Sequence, residues 1–220
     1  MSAESTVALE RLCQTYWYPL YAYVRRRGYS EHDAEDLTQA FFAHLLERRS
    51  FQRISPEKGK FRSFLLASFS YFLGDQFDRA SAQKRGGGRT AIHFEGQAAE
   101  DRFRFEAVDG CSPDKLFERR WALTLLEQVL TRLKEEYAAS GKAGQFERLS
   151  AYLINNSGGD SYAETARELN QNENWVKKAV QRMRERYYVL FREEIANTVE
   201  SPADVDEELR YLCEVMGDDY

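Results

Sequence analysis

The chain has 220 residues, of which 43% are hydrophobic and 30% charged, a balance typical of a folded protein with one large domain or two small ones. No apolar run approaches the roughly 20 residues that a membrane helix requires, and the first residues, Met1 to Glu4, lack a basic stretch leading into an apolar one, so a cytoplasmic protein is expected. The three cysteines match no paired-ligand spacing and are expected to be reduced.

Acidic residues are concentrated at the C-terminal end of the chain. Residues 193–220 contain ten acids and one base, Arg210, which gives this segment a charge of −9. Because the net charge of the whole chain is −5, the other residues sum to +4. Binding to nucleic acid depends on Lys and Arg. Because the acids are confined to a tail, the overall negative charge does not exclude a nucleic-acid partner.

Three helices are predicted in the N-terminal part. Apolar residues recur at helical spacing from Val7 to Val24 and again from Leu37 to Leu46, and Gly28 followed by Ser30 supplies a stop and a cap between them. After a loop, Phe61 to Phe77 form a third helix that is dense in aromatic residues, most of which are expected in the core.

A flexible linker is predicted next, because periodicity disappears after Arg85 and Gly86-Gly87-Gly88 leads into mixed polar residues. Helical spacing returns from Trp121 to Tyr137 and from Phe146 to Leu153, and no stretch alternates like a strand. We therefore predict an all-α fold of two small helical domains, with the boundaries 1–85, 86–117 for the linker, 118–200, and 201–220 for an acidic tail.

Residues 161–188 predict a helix-turn-helix. Ser161 can cap a first helix, Asn170-Gln171-Asn172 can turn, with Asn170 where such turns often use Gly, and a second helix runs from about Glu173 to Phe191. Its buried stripe, formed by Val176, Val180, Met183 and Tyr187, would leave bases on the other faces, a pattern typical of DNA-reading units. A solvated basic face on a helical hairpin is the alternative. Trp175 can contact DNA or pack against the first helix.

The acidic tail predicts a last helix from Pro202 to Met216, with Ser201 as its cap and an apolar stripe from Val205 to Met216. Its acidic face can either cover the basic helix of the helix-turn-helix or simply cap the last domain.

Two stretches together resemble a known family. Asp33 to Phe42, followed by Gly59 to Leu65, are similar to region two of the extracytoplasmic-function (ECF) sigma factors of the sigma-70 family, and the helix-turn-helix resembles their region four. The order and separation of the two parts also agree. The resemblance implies a non-enzymatic initiation factor that binds core RNA polymerase and promoter DNA without a cofactor. Its regulator stays open between an anti-sigma factor, a kinase and the acidic tail itself.

The resemblance also implies three binding surfaces. Asp36 and Gln39 on the second helix, extended by Leu46, would dock on the clamp helices of the polymerase. The minus-ten element would be held, with one base flipped, by Ser55, Lys58, Lys60, Arg62, Tyr71, Arg79, Lys84 and Arg85. Tyr71 stands where the family usually has Asn. The minus-thirty-five element would be bound by Lys177, Lys178, Gln181, Arg182 and Arg184.

Other functions remain open. A repressor or activator would also carry a helix-turn-helix, but would act on duplex DNA without docking on polymerase, and a sigma-like protein could only sequester partners. An enzyme is disfavoured because His32, His44 and His93 are scattered and the glycine run lacks the Gly-Lys-Ser/Thr ending of a phosphate-binding loop. No metal constellation is visible in the sequence.

Overall fold

The computed structural model describes residues 3–47, 60–82, 96–105, 111–154, 162–199 and 201–217. Within these ranges all regular structure is helical, so the predicted all-α class is confirmed. The chain divides into two compact units, one formed by Met1–Thr124 together with Thr198–Tyr220, and the other by Leu125–Asn197. We call them unit 1 and unit 2.

Unit 1 contains both ends of the described chain. Its elements are α1 (Ala3–Arg26), α2 (Glu31–Glu47), α3 (Phe61–Ala82), α4 (Gly96–Phe105), the first part of α5 (Pro113–Ala139), and a 3₁₀ turn (Pro202–Asp204) that leads into α10 (Val205–Gly217). The predicted tail therefore belongs to the same unit as the N-terminal helices.

The boundary between α1 and α2 follows from local chemistry. Gly28 has φ +91°, a left-handed conformation that glycine adopts without steric cost, and the Tyr29 amide bonds back to the Val24 carbonyl at 3.4 Å. Ser30 Oγ then accepts a hydrogen bond from the Asp33 amide at 3.1 Å and caps α2. The predicted stop and cap are confirmed.

Aromatic residues from the first three helices form the core of unit 1. Tyr21, Phe41 and Phe69 are at most 1% exposed, and the ring centroids of Phe41 and Phe69 lie 4.7 Å apart. Burial of such large rings supplies much of the stability of a small helical domain. Of the six aromatic residues of α3, Phe69 and Phe72 are buried, Phe61 and Phe64 are half-buried, and Tyr71 and Phe77 are exposed, so the expectation that most of them are core residues holds only in part.

The segment predicted as a flexible linker, residues 86–117, is ordered over part of its length. Residues 96–105 form α4, and Glu100, which is 1% exposed, accepts hydrogen bonds from the Tyr21 hydroxyl at 2.6 Å and from Arg25 Nε at 2.9 Å. A buried carboxylate is stable only with such partners. The stretches 86–95 and 106–110 lie outside the described residues.

Unit 2 is built from the remainder of α5 with α6 (Ala143–Leu149), α7 (Ala151–Ile154), α8 (Tyr162–Glu168) and α9 (Glu173–Ala196). Its core contains Val129, Leu133, Leu149, Val176 and Met183, each at most 1% exposed. Val176 and Met183 belong to the stripe predicted to be buried on the second helix of the pair. Since one stripe of α9 is buried, its opposite face is left to solvent.

The C-terminal helix begins with a complete capping box. Ser201 Oγ accepts from the Ala203 amide at 3.0 Å, and the Asp204 carboxylate accepts from the Ser201 amide at 3.2 Å. The predicted start at Ser201-Pro202 is confirmed, with a 3₁₀ turn before the α-helix.

Candidate nucleic-acid and protein interfaces

The start of α3 carries two bases, Lys60 and Arg62, which face the acids of α10. Lys60 Nζ lies 2.8 Å from Glu208 Oε2 and 3.3 Å from Glu207 Oε1. The Lys60 side chain is 27% exposed, whereas that of Glu208 is 1% exposed. Lys60 is therefore neutralised on one side and open to solvent on the other.

Arg62 is enclosed by charged and aromatic groups of unit 1. The residue is 3% exposed, forms an ion pair with Glu208, and lies 3.9 Å from Glu118. Its guanidinium carbon is 4.4 Å from the ring centroid of Tyr211 and 5.0 Å from that of Trp121, distances typical of cation–π contacts. In this arrangement Arg62 is not accessible to a ligand.

Tyr211 of α10 closes this cluster through its hydroxyl, which donates to Glu118. Burial raises the pKa of Tyr211, and the hydrogen bond to Glu118 raises it further. Its phenol is therefore neutral at physiological pH and acts as a donor.

Two large aromatic side chains of α3 point away from the core. Tyr71 is 81% exposed and Phe77 is 65% exposed, while their neighbour Phe72 is 8% exposed. Exposed rings offer apolar faces on which nucleic-acid bases can stack.

One side of α2 carries two polar residues, Asp36 and Gln39, followed along the helix by the apolar Leu46. Asp36 lies 3.7 Å from His32, its side chain 56% exposed, and Gln39 donates to Glu35 at 3.1 Å. Leu46, two turns further on, is 38% exposed. Exposed ion pairs on one helix contribute little to stability, so this face is available for contacts with another molecule.

In unit 2 a tight turn joins α8 and α9. Asn170 has φ +50°, and the Gln171 amide donates to the Ala166 carbonyl at 2.8 Å, which closes a C-terminal cap on α8. Asn172 Oδ1 accepts from the Trp175 amide at 2.9 Å and opens α9. Asn170 thus adopts the left-handed conformation expected at this position, and Trp175 packs, partly buried, against the core of unit 2.

The exposed face of α9 is basic near its start. Lys177, Lys178, Gln181 and Arg182 are all exposed, and Lys177 Nζ lies 5.7 Å from the ring centroid of Tyr162. Arg184 differs from them because its Nη2 and Nε both donate to the Tyr152 carbonyl, at 2.7 and 3.2 Å. Part of its hydrogen-bonding capacity therefore stabilises the packing of α7 on α9.

Comparison with protein families gave one match, covering residues 12–69. These residues match the model of sigma-70 region 2. The matched stretch is about a quarter of the chain and is similar to region 2 of sigma-70 factors, which in those proteins has a role in RNA polymerase binding and promoter melting. Comparison with curated proteins and with solved structures gave no match.

The region 2 match contains the whole predicted polymerase face, with Asp36, Gln39 and Leu46, and also Lys60 and Arg62 at the start of α3. Tyr71 and Arg79 follow just beyond the match on α3, and nothing is described of the Arg79 side chain. The remaining residues predicted to bind the minus-ten element lie outside the described ranges: Ser55, Lys58, Lys84 and Arg85.

Four residues around Lys60 and Arg62 were not predicted from the sequence: Glu118, Trp121, Glu208 and Tyr211. One signal was available for Glu208, which stands on the apolar stripe of α10 between the buried Val205 and Leu212. An acid on the buried face of a helix requires a basic partner. Pattern alone does not identify that partner, because it lies in a distant part of the chain.

The described ranges lack two further kinds of feature. They contain no group of three or more His, Cys, Asp or Glu side chains that could share a metal ion. None of their helices has the length and apolar character needed to span a bilayer.

Proposed function

We propose that this chain is an ECF-type sigma factor that binds core RNA polymerase through α2, holds the melted minus-ten element with α3, and reads the duplex minus-thirty-five element with α9. In this proposal unit 2 acts as region four and α8 with α9 form a helix-turn-helix. The protein would act in the cytoplasm, under a regulator such as an anti-sigma factor or a kinase.

The α2 face supports the first part of the proposal. Asp36 and Gln39 lie three residues apart and therefore share one side of the helix, with Leu46 beyond them as an apolar contact. A polar pair beside an exposed leucine suits a protein partner, since interfaces combine an apolar centre with a polar rim.

The basic face of α9 supports the second part. Three exposed bases within six residues, Lys177, Lys178 and Arg182, can each neutralise a DNA phosphate, and Gln181 between them can bond a base edge. The buried stripe of α9 fixes the direction of these side chains.

The exposed rings of α3 support the third part. A base flipped out of the duplex loses its stacking partners, and an aromatic face such as that of Tyr71 can replace them. Strand separation without nucleotide hydrolysis requires compensation of this kind.

The observation that carries the proposal is the region 2 match over residues 12–69, in a chain that also holds an exposed basic helix following a tight turn. A helix-turn-helix repressor or activator would share the exposed basic helix, but it would not need a region similar to sigma-70 region 2.

Binding to core polymerase tests the proposal directly. The purified protein is mixed with core RNA polymerase, and complex formation and transcription from the DNA upstream of its own gene are measured. Asp36→Arg is expected to abolish both, because it places a cation where an acid is proposed to dock. Glu147→Arg, which changes another exposed acid, on α6 of unit 2, is the matched control and is expected to change neither.

Binding of the unmodified protein to duplex DNA without any binding to polymerase would favour the repressor or activator. Binding to polymerase that is equal in Asp36→Arg and in the control would leave the sigma role intact but remove α2 as the docking face.

A further inference from the structure

We propose that α10 is an autoinhibitory helix: the carboxylates of Glu207 and Glu208 occupy the place of DNA phosphates at Lys60 and Arg62 and must leave before these bases can hold the promoter. This inference rests on the proposed function, because it concerns the regulation of the same surface.

The contacts of α10 with α3 are ionic and specific. Glu208 pairs with both Lys60 and Arg62, and Glu207 adds a second carboxylate at 3.3 Å from Lys60. A carboxylate and a phosphate oxygen compete for the same N–H donors, and Arg and Lys bind both. Both bases at the start of α3 are therefore occupied by acids of the same chain.

Burial also prevents Arg62 from reaching a DNA phosphate while α10 is in place. Its guanidinium lies between the rings of Tyr211 and Trp121 and is 3% exposed. Tyr211 and Glu208 both belong to α10, so removing that helix takes away one ring and the main ionic partner. Arg62 then becomes available on the side that α10 covered.

The helix is attached in a way that permits its release. It has 13 residues, its buried apolar side chains are Val205 and Leu212, and it follows a turn rather than a continuous helix. Its other acids, Asp206 and Glu214, are exposed. A short helix with few buried apolar groups can leave at a lower cost than an element of the core.

The sequence left two interpretations of the acidic face, a cover for the basic helix α9 or a cap on the last domain. Within unit 1, Glu207 and Glu208 contact Lys60 and Arg62, residues proposed to hold the melted strand. The regulated step would therefore be promoter opening and not the reading of the duplex.

Charge neutralisation within the full chain tests the inference. Glu207→Gln combined with Glu208→Gln keeps the shape of α10 and removes both carboxylates. The affinity for a short single-stranded DNA of mixed sequence is expected to rise on the order of 10-fold, and the salt slope of log K to increase in magnitude by about 1.4, since each phosphate contact on a single strand contributes about 0.7.

The control must remove the same number of acids elsewhere, because any loss of negative charge favours DNA. Asp101→Asn with Asp114→Asn does this at two exposed positions of unit 1 that lie outside α10. Lys60→Gln added to the Glu207/Glu208 variant is expected to cancel about half of the gain. Deletion of residues 201–220 provides a second route to the same surface, and circular dichroism shows whether each variant remains folded.

The outcomes separate this inference from the proposed function. An equal gain in the charge-matched control, or a gain that Lys60→Gln leaves untouched, would overturn the autoinhibitory role of α10. Failure of the unmodified protein and of every variant to bind core polymerase would instead reject the sigma role, whatever the single-strand affinities.

Discussion

Arg186 and Glu136 form a two-pronged ion pair within unit 2, with Nε to Oε2 at 2.8 Å and Nη2 to Oε1 at 2.6 Å. The pair joins α9 to α5, and the hydrogen bonds from Arg186 lower the pKa of Glu136. Its geometry is favourable, but the side chains of Arg186 and Glu136 are 40% and 36% exposed, so solvent screens the interaction.

Glu136→Gln is therefore expected to destabilise unit 2 by at most about 1 kcal/mol at neutral pH. A lowered folded-state pKa means that this contribution is present above the unfolded pKa of the carboxyl group and is lost as the pH falls through the folded value. Hydrogen exchange of the α9 amides in urea should show the difference at pH 7 and convergence in acid. A difference that persists below both pKa values would contradict the assignment.

Asn170 tests the turn between α8 and α9. At φ +50° a side chain with a Cβ is strained, and Asn tolerates this conformation better than most residues. Asn170→Ala is expected to cost about 1 kcal/mol of stability in unit 2, whereas Asn170→Gly should be neutral or stabilising. Thermal unfolding measures both, and an Ala variant as stable as the Gly variant would show that the turn relaxes.

The features predicted correctly from sequence are those decided by neighbours in the chain. Gly28, Ser30, Asn170 and Ser201 act through hydrogen bonds that span at most five residues, so their roles follow from local chemistry. The spacing of apolar residues likewise predicted the buried stripe of α9, where Val176, Val180 and Met183 are buried.

The features that sequence did not predict depend on partners far apart. Glu100 is paired with Arg25, 75 residues away, so a segment without clear periodicity is held in place as α4. In the same way the ion pair between Arg62 and Glu208 was not predicted, because Glu208 lies far from Arg62 along the chain. Long-range ion pairs leave no period in the sequence by which they could be recognised.

Glu100 provides a test of the packing of α4. Glu100→Ala leaves Arg25 and the Tyr21 hydroxyl without their acceptor in a largely buried site, and breaking such a pair costs about 3–5 kcal/mol. Limited proteolysis should then cut within 96–105 at a protease concentration that leaves the unmodified chain intact. Asp101→Ala, a change at the exposed neighbour, is the control. Equal cleavage of both variants would mean that Glu100 does not hold α4.

Lys177 and Lys178 test the DNA surface proposed for α9. Replacing both with Gln is expected to weaken duplex binding on the order of 10-fold or more and to reduce the salt slope of log K by about 1.8, since each phosphate contact on B-DNA contributes about 0.9. Lys134 and Lys142 are exposed bases of the same unit, and replacing both with Gln keeps the net charge equal. A similar loss in this control would indicate a general charge effect and no defined surface.

Substitution of Tyr71 tests DNA binding by α3 with little effect on the stability of unit 1. Because its side chain is 81% exposed, Tyr71→Ala is expected to change the stability of unit 1 by less than about 0.5 kcal/mol, whereas Phe69→Ala removes a fully buried ring and should cost about 3–5 kcal/mol. If Tyr71 stacks on an unpaired base, its loss weakens single-strand binding by about 1–3 kcal/mol and leaves duplex binding by α9 unchanged. Tyr188→Ala, at a ring that is 51% exposed on α9, controls for the loss of any surface aromatic. Stacking at Tyr71 predicts a defect that appears only when the strands are separated, so equal loss on single-stranded and duplex DNA would place the contact elsewhere.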